Sequence, residues 1–191
     1  MKRLILNNIQ NRLSNEDSRI EDIWFIRSDD GADNCCIQVK GYSKPMRGRS
    51  ACICLYIDED DIYILSKPNE DDYGVPGGGW DKNESPKEAA IRELHEETLF
   101  DITRVQRMGT LIEYHDQVKD WVEEHVDNPE DWWYGYYSAI FVGLYNGDFN
   151  GKVDEIDREY SYRWISLDSI RSQLPKEYVD AIYKYLRINR I

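Results

Sequence analysis

The chain has 191 residues, 41% of them hydrophobic and 13% aromatic, enough for one folded domain with a sizeable core. A formal net charge of −13 argues against broad binding to nucleic acid or to an anionic membrane, both of which need basic patches. It leaves room for a phosphorylated small molecule, because a bound divalent cation reverses the local field. No apolar run reaches the length of a membrane span. The opening MKRLILNNIQ carries an apolar run of only Leu4 to Leu6, too short for a signal peptide. Cys35, Cys36, Cys52 and Cys54 lack the C-x-x-C spacing of a zinc knuckle. They are expected to be reduced thiols of a cytoplasmic protein.

Taken in order, residues 1–13 predict a short amphipathic helix with Ile5, Ile9 and Leu13 on one face. Residues 14–22 are loop-like, Ile23 to Ile26 predicts a short strand, and Asp29-Asp30-Gly31 predicts a turn. Residues 32–50 mix glycines and Pro45 with three cations, Lys44, Arg47 and Arg49. That cluster is either ordinary surface or a contact for phosphate. The apolar run Ala51 to Ile57 predicts a strand buried on both faces. Asp58 to Asp61 is its turn and Ile62 to Leu65 the partner strand of a hairpin. Three glycines, Gly77, Gly78 and Gly79, then follow Val75-Pro76. Glycine lets backbone approach a ligand closely, or simply makes a tight turn.

A helix is predicted from Ser85 to about Thr98. Ser85 is a good N-cap, Pro86 suits the first helical position, and Glu88 completes a capping box. At 100° per residue, Glu93, Glu96 and Glu97 share one arc of about 100°, with Ala89 one turn earlier leaving room above them. Ala90, Ile91, Leu94 and Thr98 form the neighbouring core-facing stripe, and His95 lies on the opposite side. An acidic helix face is ordinarily just solvated. Three carboxylates on one arc also repel one another unless a cation sits among them, and hard oxygen ligands suit Mg²⁺ or Mn²⁺.

The spacing is more specific than the acidity. Gly78 is followed by five residues and Glu84, then by seven residues and Arg92-Glu93-Leu94, then by one residue and Glu96-Glu97. Over Gly78 to Phe100 this resembles the signature of the Nudix hydrolases. Leu99 stands where that family has glycine, a residue that would allow a left-handed helix cap. The resemblance implies an α/β fold, an α/β/α sandwich with a mixed central sheet, as a single Nudix-like domain over 1–191. Residues 1–49 then read as an N-terminal extension and 115–137 as an insertion.

After the helix, Ile102 to Val105 and Met108 to Tyr114 predict strand segments. The stretch from His115 to Tyr137 carries Trp121, Trp132, Trp133, Tyr134, Tyr136 and Tyr137, with a helix predicted over Asp116 to His125. It reads either as a packed lid or homodimer contact, or as a stacking platform for a base. Tyr137 to Tyr145 predicts another strand, and Asn146-Gly147 a turn. Gly151 to Tyr160 is an acidic loop, Arg163 to Leu167 a closing strand, and Asp168 opens a short helix. Residues 176–188 predict a final helix with Tyr178, Ile182, Tyr185 and Leu186 on its core face.

The resemblance also implies an activity: divalent-metal-dependent hydrolysis of a phosphoanhydride in a nucleoside diphosphate linked to another moiety. Glu93, Glu96 and Glu97 would hold the metal, with the main-chain carbonyl of Gly79 assisting. Either Glu93 or a downstream acid, Glu155 or Glu159, would be the general base. Arg92 would orient a neighbouring carboxylate, and Glu84 would brace the glycine loop. The partner would be a small nucleotide derivative rather than a membrane, with an RNA 5′ end as the one nucleic-acid candidate. The alternative is a catalytically silent Nudix-like nucleotide-binding or regulatory module.

Overall fold

The computed structural model of the chain describes residues 17–27, 33–68, 73–102, 104–114, 133–147 and 162–191. The helices expected over 1–13 and 116–125, the turn at 29–31 and the acidic loop 151–160 lie outside them. The fold is α/β, as expected, with strands pairing in both parallel and antiparallel senses. Along the chain run β1 (Ile20–Arg27), β2 (Asp33–Val39), β3 (Met46–Asp58), β4 (Asp61–Pro68), β5 (Tyr73–Gly74) and β6 (Gly77–Gly79). Then come α1 (Pro86–Thr98), β7 (Val105–Tyr114), β8 (Gly135–Leu144), β9 (Arg163–Ser166), α2 (Leu167–Ile170) and α3 (Lys176–Asn189). These residues form two compact units.

The first unit takes its described residues from Met1–Arg49, Gly79–Ser85 and Ile112–Ser138. β1 pairs antiparallel with β2, setting Ile23 opposite Ile37 and Phe25 opposite Cys35. β2 in turn pairs with the start of β3, Cys36 opposite Arg47 and Ile37 opposite Met46. Strand β2 was not legible in the mixed composition of 32–50. Its signal is the run Cys35-Cys36-Ile37, whose side chains are fully buried because apolar residues on successive positions fill both faces of an inner strand. Trp80 packs over Gly48, where an added Cβ would meet the indole ring at 2.8 Å. The Trp80 amide donates to the Gly48 carbonyl at 3.2 Å. Tyr137 meets Trp80 edge to face at 6.1 Å and donates its hydroxyl to Asp17 at 2.8 Å.

The second unit takes its described residues from Ser50–Gly78, Pro86–Leu111 and Ala139–Ile191. Ala51 to Leu55 are all buried, as their unbroken apolar run requires. β3 and β4 form the expected hairpin, with Leu55 opposite Ile64 and Tyr56 opposite Tyr63. Its turn places Glu59 at φ +51°. β9 pairs with the other edge of β4, Ile64 opposite Ile165 and Leu65 opposite Trp164. The core gathers Ile53, Leu55, Ile64, Ile140 and Val142 from the strands with Ile182, Tyr185 and Leu186 from α3. Each such side chain stabilises by about 1.5–3 kcal/mol on full burial. Tyr178 packs at the margin of that cluster. Of the two strand segments expected between α1 and Tyr114, the described residues show β7 alone: Ile102 is buried but lies outside it.

Candidate active site

Helix α1 starts at Pro86, as the capping residues require, and ends at Thr98. Its first turn is tied to β3 by the Ser50 hydroxyl, which donates to the Pro86 carbonyl at 2.6 Å. Ala90, Leu94 and Thr98 are buried, as read from the sequence. Ala89 is buried too, and Ile91 only half so; the core-facing stripe is thus rotated toward Ala89.

Leu99 takes the left-handed conformation that glycine would take, with φ +57°. Its amide donates to the His95 carbonyl at 2.8 Å, which is the bond of an αL helix cap. The side chain is 55% exposed, so it gains little from packing to offset the strained backbone. His95 pairs with Asp101 at 3.0 Å.

The acidic face is held from three directions. The carboxylate of Glu93 lies against Gly78, occupying the space any side chain there would need. The Arg92 guanidinium bridges Glu93 at 2.8 Å and Glu96 at 3.0 Å. Glu97 accepts from the Gly77 amide at 3.1 Å and from the Tyr162 hydroxyl at 2.9 Å. The Lys67 ammonium lies over the Tyr162 ring, 5.3 Å from its centroid. Burial pushes the Glu93 carboxyl above the ordinary glutamate value. The Arg92 hydrogen bond and charge pull it back, and the charges of Glu97 and Glu96 push it up again.

The structure therefore brings Arg92, Glu93, Glu96 and Glu97 together on one helix face. Glu84 braces the loop as expected, accepting from the Asp81 amide at 2.7 Å. Gly79 belongs to the first unit, where an added Cβ would stand 3.0 Å from Arg47 Nη2. Glu155 and Glu159 lie outside the described residues. Tyr162 was not read from the sequence. It stands 65 positions from Glu97, and no local pattern connects the two.

Three carboxylates within one turn match a hard divalent cation in donor type and charge. Among the described residues no three His, Cys, Asp or Glu side chains converge into a ready-made cage. Arg92 is the positive charge now placed among them.

Residues 46–187 match the NUDIX domain family model, and the chain belongs to that family. It is 36% identical over 63 residues to human diphosphoinositol polyphosphate phosphohydrolase 2, a match spanning 31% of this chain and 35% of that protein. It is 33% identical over 107 residues to the RNA pyrophosphohydrolase of Azorhizobium caulinodans, spanning 49% of this chain and 58% of that protein. The chain thus spans between about a third and three fifths of the length of these curated relatives. Among solved structures it is similar to the NUDIX domain of Shewanella oneidensis NrtR complexed with ADP ribose. That likeness has a TM-score of 0.47 and 14% identity, over 75% of this chain and 86% of the other. No helix among the described residues is long and apolar enough to cross a membrane.

Proposed function

We propose that the chain is a divalent-cation-dependent pyrophosphohydrolase that cleaves a phosphoanhydride bond in a nucleoside diphosphate linked to another moiety. The observation that carries this reading is the fixed placement of Glu93, Glu96 and Glu97 on α1, each held by a named partner. The two curated relatives bear the names of a phosphohydrolase and a pyrophosphohydrolase, which supports the same reaction class. Four free, buried thiols suit a reducing, cytoplasmic setting.

Glu93, Glu96 and Glu97 would hold Mg²⁺ or Mn²⁺, which when bound neutralises phosphate charge and makes water more acidic. The residues of the chain do the rest. The Gly77 amide and the Tyr162 hydroxyl aim Glu97, since both donate to its carboxylate. Gly78 leaves the space in which the Glu93 carboxylate sits. If Glu93 serves as the general base instead of holding the cation, it would take the proton of the attacking water; a raised pKa brings it closer to the range in which a general base works well. Arg92 orients Glu93 and Glu96 through charge-assisted hydrogen bonds.

The test is to separate and identify the products formed from ADP-ribose, a dinucleoside polyphosphate and a nucleotide sugar, with Mg²⁺ or Mn²⁺ and then with a chelator. Two phosphorylated products and loss of turnover on chelation are expected. Cleavage at an ester bond, or turnover indifferent to the chelator, would contradict the proposal.

A further inference from the structure

In the first unit the aromatic residues that follow the 115–132 segment do not stand open. The Arg47 guanidinium lies 5.2 Å from the Trp133 ring centroid. Lys44 lies 5.2 Å from that of Tyr134, and Arg49 lies 4.8 Å from that of Tyr136. Significant cation–π pairs occur about once per 70–80 residues, so three on the stretch Trp133 to Tyr136 mark a concentrated feature. Arg47 and Arg49 are two apart on β3 and point to one face, with the alternating burial of that strand between them. The frame is tied by backbone: the Tyr134 amide donates to the Pro45 carbonyl at 2.8 Å. The Nε–H of Arg47 is buried and has no hydrogen-bond partner among the described residues, and the same holds for the fully buried Tyr134 hydroxyl.

We infer that Lys44, Arg47 and Arg49 form a binding face for a phosphate-dense anion, with Trp133, Tyr134 and Tyr136 as positioning residues that hold the three cations rather than as a platform for a base. A ring whose face is capped by a cation has that face closed to a nucleobase. A guanidinium held by an aromatic face, with a buried donor unspent, is pre-organised to take an acceptor oxygen. Three cations gathered on a chain of net charge −13 offer phosphate an attractive locus that the composition alone hides. The inference deepens the proposed hydrolase reading by naming recognition through phosphate charge, and it rests on that reading only for the anion being the substrate.

The test is direct binding of inorganic tripolyphosphate to the full chain, followed by calorimetry with a chelator present so that no metal contributes. Adenosine serves as the base-only probe. Tripolyphosphate is expected to bind with an affinity that falls as salt rises. Arg47→Ala and Arg49→Ala should each weaken it about tenfold, the scale of one charge-assisted contact. Trp133→Leu should weaken it about threefold and Trp133→Phe should restore most of that loss, the scale of one cation–π pair. Thermal melts check that each variant is folded. Tripolyphosphate binding unchanged in the folded arginine variants would overturn the inference. Adenosine binding that depends on Trp133 and not on the arginines would overturn it too, in favour of a stacking platform. Turnover lost in Glu97→Gln speaks only to the hydrolase reading, since the binding assay contains no metal.

Discussion

The Glu93 carboxylate rests on the bare backbone of Gly78, in the volume that a methyl group at residue 78 would fill. The glycine is required by this close approach rather than by a turn, since its φ is not in the left-handed region. Gly78→Ala should therefore push Glu93 off its position. We expect turnover to fall by tenfold or more, with a stability loss of about 1–3 kcal/mol from overpacking. Steady-state kinetics beside a chemical denaturation curve checks both.

Arg92 lowers the Glu93 pKa while burial raises it, and burial prevails. Removing the guanidinium in Arg92→Ala should raise the Glu93 pKa further. The acid limb of the profile of kcat/KM against pH should then move to higher pH. The stability sign follows from linkage. A group whose folded pKa lies above its unfolded value contributes stability that is present below the unfolded value and lost as pH rises through the folded one. Arg92→Ala should accordingly be more destabilised at neutral than at acidic pH. A pH series of denaturation midpoints reads this out.

Tyr162 donates to the same Glu97 oxygen that accepts from the Gly77 amide. Tyr162→Phe keeps the ring and its contact with Lys67 and removes only the hydroxyl. The expected cost in stability is about 1 kcal/mol, the net worth of one hydrogen bond. Turnover should drop several-fold, with the larger change in kcat than in KM, because Glu97 keeps its backbone donor but loses its aim.

Leu99 holds a left-handed cap with an exposed side chain. Left-handed backbone costs a residue with a Cβ about 1–2 kcal/mol, part of which glycine gives back as extra freedom in the unfolded chain. Leu99→Gly should raise stability by up to about 1 kcal/mol and leave turnover within twofold of the parent. A thermal melt and one rate measurement decide it.

Much of the second unit was legible because its signals are local. The apolar run Ala51 to Leu55, the capping residues Ser85 to Glu88 and the stripe Ile182, Tyr185, Leu186 each declare one element by period or composition. The acidic face of α1 was legible for the same reason, since Glu93, Glu96 and Glu97 share a helix. What sequence could not supply were contacts between distant positions. Nothing local pairs Tyr162 with Glu97, or Gly78 with Glu93. Arg47 and Trp133 meet only through folding, so the sequence shows an aromatic-rich stretch but not the cations that lie over the rings of Trp133, Tyr134 and Tyr136. Strand β2 was missed because glycines, a proline and charges around it diluted a short apolar run.

The most direct measurement of the central claim is phosphate-product release by Glu96→Gln and Glu97→Gln, each shown to be folded, beside the parent chain with Mg²⁺ or Mn²⁺. The predicted result is metal-dependent turnover by the parent that falls at least a hundredfold in both variants, as the loss of an anionic metal ligand requires. Equal turnover in parent and variants would contradict the assignment of these carboxylates to the reaction. A parent that binds a nucleoside diphosphate tightly and never cleaves it would contradict catalysis itself and leave a binding module.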